Sequence, residues 1–143
     1  MHARVKENSD TKWHDRYPEL GTGPLPIEPY VSPEFFEQER EKIFRKVWLN
    51  IGRVEQIPGT GDYFVKDLAI CQTSILVTRG DDGEVHAFHN MCSHRGNRLA
   101  WDSKGKCKAF SCKYHAWTYA LDGSLRHISD EKKFFGIDKT KLG

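Results

Sequence analysis

Two short stretches, "CSHRG" (Cys92–Gly96) and "CKYHAW" (Cys112–Trp117), decide how this 143-residue chain is read. The pattern is Cys-x-His, then 17 residues from Arg95 to Ser111, then Cys-x-x-His. Each pair follows a segment with strand character: "VHAFHNM" before Cys92 and "KAFS" before Cys112. Two loops of this kind, side by side, can present two thiolates and two imidazoles to one site.

Two metal centres suit that donor set. One is tetrahedral zinc, for which two Cys and two His are a common structural solution. The other is a Rieske-type [2Fe–2S] cluster, with Cys92 and Cys112 on one iron and His94 and His115 on the other. Zinc fingers usually pair Cys with Cys and His with His along the chain. Here each loop carries one of each, which favours the cluster, because each of its irons must draw a ligand from both loops.

Outward from the loops, the chain reads as a small antiparallel β domain. "GDYFVKD" from Gly61 and "SILVTR" from Ser74 are β-rich, and "GDDG" (Gly80–Gly83) turns the chain into "EVHAFHN" as a hairpin. "WTYALDGSLRH" reads as another hairpin, with Asp122-Gly123 at its tip. Before the domain, Ser32-Pro33-Glu34 opens a helix expected over 32–48: Ser is the N-cap, Pro occupies the first turn and Glu the positive end of the dipole. Phe36, Ile43, Phe44 and Val47 share one face of it, and Glu41 and Arg45 can pair at i,i+4. Residues 1–31 hold four of the six prolines and read as an extended arm, leaving 49–143 as the metal-binding domain.

Composition bounds the function. Twenty-two basic against 20 acidic side chains leave a formal charge of +2, too balanced for a nucleic-acid binder. No apolar run approaches a membrane span, and "MHARVKENSDTKW" lacks the apolar stretch of a secretory signal, so a cytoplasmic, reducing setting is expected. There, paired Cys and His mean metal more often than disulfide. Cys71 and Cys107, outside the motif, are expected to be buried or free thiols. His86 and His89 read as ordinary strand residues, and His2, His14 and His127 have no evident partners.

"CSHRGNRLA" and "CKYHAWTYALDGSL" resemble the Rieske domain of ring-hydroxylating oxygenase large (alpha) subunits, the Rieske non-haem iron oxygenases. The similarity extends through "GEVHAFHNMC", "GDYFV" and "FFEQEREKIFRKVWLNIGRV", covering roughly 30–142. One departure is Ala116, where many members have Gly, with only a slight expected cost. The resemblance implies a mainly β, sandwich- or barrel-like domain with cluster-binding hairpin loops, binding a [2Fe–2S] cluster through Cys92, His94, Cys112 and His115. Gly96 would permit a tight turn aiming N–H groups at a sulfide. Arg95 would pair with a carboxylate across a boundary or stay solvated. Trp117 would shield the cluster, and Tyr119 could reach a Cys sulfur. In high-potential respiratory relatives a Ser stands where Trp117 does and donates to sulfur, so the potential should lie toward the low end of the Rieske range.

Members of that family activate dioxygen at a mononuclear iron held by two His and a carboxylate in a C-terminal domain. No such ligand run exists here, so no catalytic residue is assigned and the resemblance implies the N-terminal part of a longer subunit. The implied role is electron transfer in an oxidoreductase of aromatic hydrocarbon catabolism. Its expected partners are a reductase or ferredoxin donor and the catalytic domain of the same or a neighbouring subunit in a trimer-based homo-oligomer. Alternatives are a stand-alone Rieske-type ferredoxin and a structural zinc module.

Overall fold

A computed structural model describes residues 12–143. The chain divides into two units, the first ending at Gln38 and the second running from Glu39 to Gly143.

The described part of the first unit is not the extended arm expected. It winds into short turns: α1 (Trp13–Arg16), a 3-10 turn at Pro18–Leu20 and α2 (Glu28–Val31), none of which buries a residue. Two of the four prolines that suggested an extended chain start short helices, while Pro24 and Pro26 lie outside any helix. Pro18 and Pro29 occupy first-turn positions, where a missing N–H costs nothing. Residues 1–11 lie outside the described region. Helix α3 (Pro33–Glu39) follows, capped as expected: the Ser32 hydroxyl accepts from the Phe35 N–H at 3.1 Å.

The helix runs on into the second unit as a wider π-type turn (Arg40–Phe44) and stops there, short of Trp48. The Arg45 N–H bonds back five residues to the Arg40 carbonyl. The turn widens where the side chain of Arg40 is buried and its Nε donates to the Ile70 carbonyl at 2.8 Å. Glu41 and Arg45 pair as expected, at 2.6 Å.

The rest of the second unit is two antiparallel sheets. The larger has the order β3-β2-β1-β4, built from β1 (Asp62–Leu68), β2 (Thr73–Arg79), β3 (Val85–His89) and β4 (Lys104–Lys106). The smaller is β5-β6-β7: β5 (Phe110–Ser111), β6 (Thr118–Tyr119) and β7 (Leu125–His127). Both anticipated hairpins form. The β2–β3 turn closes with Gly80 N–H to the Glu84 carbonyl at 2.9 Å, and the β6–β7 turn with Ala120 N–H to the Ser124 carbonyl at 2.8 Å. Strand β4, "KGK", escapes a reading by β propensity because all three residues are exposed, and its pairing to β1 comes from the backbone.

Alternation along β2 divides the interior. Leu76 faces a large core with Phe110, Trp117, Tyr119, Leu121, Leu125 and Ile128, while its neighbour Val77 faces a smaller one with Ile57 and Phe64. Thr78, on the side of Leu76, is fully buried and donates to the Leu121 carbonyl at 2.5 Å. That bond ties β2 to the turn between β6 and β7. Cys92 and Cys112 belong to the large core, so the putting together of the two sheets is also what brings the two Cys-His loops together.

Candidate metal centre

The first loop leaves β3 at His89, and the second connects β5 to β6. Despite different sequences they share one backbone design. In the first, the Gly96 N–H donates to the Cys92 carbonyl at 2.8 Å and the Cys92 N–H to the Asn97 carbonyl at 2.8 Å. In the second, the Ala116 N–H donates to the Cys112 carbonyl at 2.9 Å and the Cys112 N–H to the Trp117 carbonyl at 2.8 Å. The residue four after each Cys is left-handed, Gly96 at φ +70° and Ala116 at φ +55°. The Gly96 N–H itself closes its turn on the Cys92 carbonyl. Ala116 occupies a conformation that costs a residue with a Cβ roughly 1–2 kcal/mol, more than the slight cost expected.

These turns place the donors as two pairs, the Cys92 side chain beside that of Cys112 and the His94 ring beside that of His115. Among the described residues no three His, Cys, Asp or Glu side chains close on a single cation. Both cysteines are buried, Cys92 at 2 % and Cys112 at 3 % exposure. The His94 and His115 rings lie 4.7 Å apart between centroids. Burial by itself would push the Cys112 thiol up. The backbone N–H groups of Tyr114 and His115, the Cys92 side chain and the Asn97 amide at 3.6 Å more than offset this, leaving the thiol below its ordinary range. Desolvation holds His94 low, with the charges of His115 and Arg95 adding to it, so its imidazole stays neutral. A thiolate-favouring sulfur and a neutral ring are the states in which these side chains bind metal.

His115 Nδ1 is buried and is the one such side-chain nitrogen or oxygen among the described residues without a hydrogen-bond partner. A lone pair kept from water and protein alike costs stability unless something else occupies it.

The surroundings come from several elements. Trp117, 2 % exposed, stacks on His94 at 4.7 Å and 12°. Phe134 stands edge-on to both rings, at 5.9 Å from His94 and 5.6 Å from Trp117. Tyr119 Oη lies 3.1 Å from Cys92 Sγ, and burial together with that contact pushes its hydroxyl up to about 12. Among the described residues no carboxylate pairs with Arg95. It lies over the Tyr114 ring at 5.5 Å, and Tyr114 packs on His115 at 3.8 Å.

A sequence profile of the family described as "Rieske [2Fe-2S] domain" matches residues 47–138. The chain belongs to that family. Among curated relatives, this Rieske domain is 45% identical over 105 residues to the glycine betaine monooxygenase oxygenase subunit of Chromohalobacter salexigens, covering 73% of this chain and 23% of that protein. It is 36% identical over 123 residues to the biphenyl 2,3-dioxygenase alpha subunit of Rhodococcus jostii, covering 85% of this chain and 26% of the relative. Among solved structures, the quaternary ammonium Rieske monooxygenase CntA superposes with a TM-score of 0.77 at 33% identity, covering 83% of this chain and 32% of that one. The chain spans about a quarter of the length of the curated relatives it matches.

The residues present fit the group for which the family is named. Two buried sulfurs and two adjacent imidazoles arrive from two like turns, and the orphaned His115 Nδ1 has a ring position that no protein group fills. Four further residues shape this Rieske site without having been singled out in the sequence. Asn90 is buried; its Oδ1 accepts from the Leu99 and Ala100 N–H groups and its Nδ2 donates to the Ala100 carbonyl at 2.8 Å, pinning the chain beyond the first loop. Asn97 reaches the Cys112 sulfur, Ser93 reaches Tyr119, and Phe134 covers His94. Asn90 and Asn97 flank the first loop closely, and that pattern was the available signal. Phe134 lies forty residues from His94, and nothing local marks it.

Cys71 and Cys107 are free thiols, as expected, and Cys71 Sγ donates to the Phe44 carbonyl at 3.7 Å. His86 pairs with Asp82 at 3.0 Å and His89 with Thr73 at 2.9 Å, away from the Cys-His loops. Among the described residues no helix is long and apolar enough to cross a membrane.

Proposed function

We propose that this Rieske domain transfers single electrons within a Rieske oxygenase. In this reading Cys92 and Cys112 hold one iron of the cluster, and His94 and His115 the other. Bound there, a [2Fe–2S] centre supplies one-electron storage at a potential raised by its neutral ligands. Two ferric ions, two sulfides and two thiolates sum to no net charge, and one electron makes the whole singly negative. The protein's own work is to favour the thiolate of Cys112, favour the neutral ring of His94, and limit water on one side of the site with Trp117 and Phe134.

The observation that carries this reading is the buried His115 Nδ1 without a partner, on a ring 4.7 Å from that of His94. The role supported by the relatives is relay from a reductase or ferredoxin to a mononuclear non-haem iron outside these residues, in the same or a neighbouring subunit. Identity to a glycine betaine monooxygenase (45%) exceeds identity to a biphenyl dioxygenase (36%). That favours a quaternary ammonium substrate for the whole enzyme over the aromatic one expected from the sequence. The motif "HRG" and the leading helix speak against a stand-alone carrier.

The test is to load the purified protein anaerobically with iron and sulfide. Two irons and two acid-labile sulfides per chain, and rapid reduction by a ferredoxin or its reductase, support the proposal. Zinc retained with no sulfide uptake overturns it.

A further inference from the structure

Three contacts run from the Leu142 carbonyl to the Cys92 sulfur. Ser93 Oγ donates to the Leu142 carbonyl. Ser93 Oγ and Tyr119 Oη are 2.8 Å apart, and Tyr119 Oη is 3.1 Å from Cys92 Sγ. The Ser93 backbone N–H also donates to Tyr119 Oη at 3.0 Å. That last bond fixes the phenolic oxygen whatever the Ser93 side chain does.

A proton count shows the consequence. Each hydroxyl brings one proton, and a carbonyl can only accept. While Cys92 is a thiol, three protons serve three contacts, all pointing the same way: sulfur to Tyr119, Tyr119 to Ser93, Ser93 to Leu142. A metal-bound cysteine has given up its proton, leaving two protons for three contacts. If Ser93 keeps serving Leu142, its own oxygen becomes an acceptor at 2.8 Å and competes with the sulfur for the single Tyr119 proton. If Tyr119 turns fully to the sulfur, Ser93 must either face it lone pair to lone pair or abandon Leu142.

We propose that Ser93 is a positioning residue that draws the Tyr119 proton away from the Cys92 sulfur and so holds the cluster's reduction potential below the value Tyr119 alone would set. Hydrogen bonds to cluster sulfurs raise the potential, because they stabilise the added negative charge. The Leu142 carbonyl sets the competition by consuming the Ser93 proton, which links the segment after the second sheet to the electronics of the first loop. The inference rests on the ligand assignment proposed above.

The experiment measures midpoint potentials of the cluster-loaded protein by film voltammetry for the wild type, Ser93→Ala, Tyr119→Phe and the double variant. Ser93→Ala keeps the backbone N–H that seats Tyr119 but removes the competing acceptor, so its potential should rise. Tyr119→Phe should lower the potential, and adding Ser93→Ala to it should change nothing further. Ser93→Thr, which retains the hydroxyl, should match the wild type. An unchanged or lowered potential in Ser93→Ala, or an equal rise with and without the Tyr119 hydroxyl, overturns the inference while leaving the ligand assignment intact. Failure of the wild type to take up iron and sulfide overturns both. Ser93→Gly deletes the same hydroxyl and gives the same test should the alanine variant not fold.

Discussion

The indole of Trp117 lies flat on the imidazole of His94, 4.7 Å between centroids and 12° apart, and Phe134 closes the remaining edge of the stack. A ligand ring held this way is shielded from solvent on one face while staying half-exposed, and solvent matters because the reduced centre is charged while the oxidised one is neutral. Trp117→Leu should therefore raise the midpoint potential by admitting water, and shorten the lifetime of the visible absorption in air. Voltammetry and a bleaching time course check both effects. The truncation should also cost stability, about 2–4 kcal/mol for a side chain so fully buried.

Replacing either imidazole with a thiolate adds a negative charge to both redox states. His94→Cys and His115→Cys should keep a cluster but lower its potential toward about −400 mV, the region of plant-type ferredoxins. Cys92→Ser and Cys112→Ser should abolish or severely weaken cluster binding, read as lost absorbance and lost iron. A potential unmoved by the His substitutions would contradict the ligand assignment.

The paired turns give a stability prediction that involves no metal. Ala116 is left-handed at φ +55°, so Ala116→Gly should stabilise the domain by roughly 1 kcal/mol, raising its melting temperature by a few degrees. Gly96→Ala should destabilise it comparably. A Cβ there would meet only Met91 Sδ at 3.7 Å, so the penalty is one of backbone conformation and not of crowding. Thermal melts of the two variants should shift in opposite directions.

Asn90→Ala strips one buried side chain of four hydrogen bonds and leaves the Leu99 and Ala100 N–H groups unpaired. The expected loss is about 2–4 kcal/mol in urea unfolding, accompanied by slower or incomplete cluster loading because the first loop loses its anchor. Asn90→Asp keeps the acceptor but not the donor and should lie between.

Much of this architecture was legible because the signals were local. Asp-Gly and Gly-Asp-Asp-Gly mark hairpins through their turn chemistry, and the β-rich composition of "SILVTR" marks a strand. The Cys-x-His and Cys-x-x-His spacing marks a site that needs ligands from two loops. What stayed hidden depends on long-range pairing. Strand β4 carries no β propensity and is held by β1 alone. Phe134 reaches His94 only after the chain has passed through β6 and β7. The helix widens at Arg40, whose side chain turns inward to the Ile70 carbonyl thirty residues away, a contact no helical periodicity could announce. Arg95 finds the Tyr114 ring because the two loops are juxtaposed, a relationship absent from either loop on its own.

The most direct measurement is pulsed paramagnetic resonance on the dithionite-reduced protein. The account predicts a rhombic signal coupled to two histidine nitrogens, falling to one in His94→Cys and to one in His115→Cys. A reduced protein with no such signal, or one whose signal carries no nitrogen coupling, would contradict it.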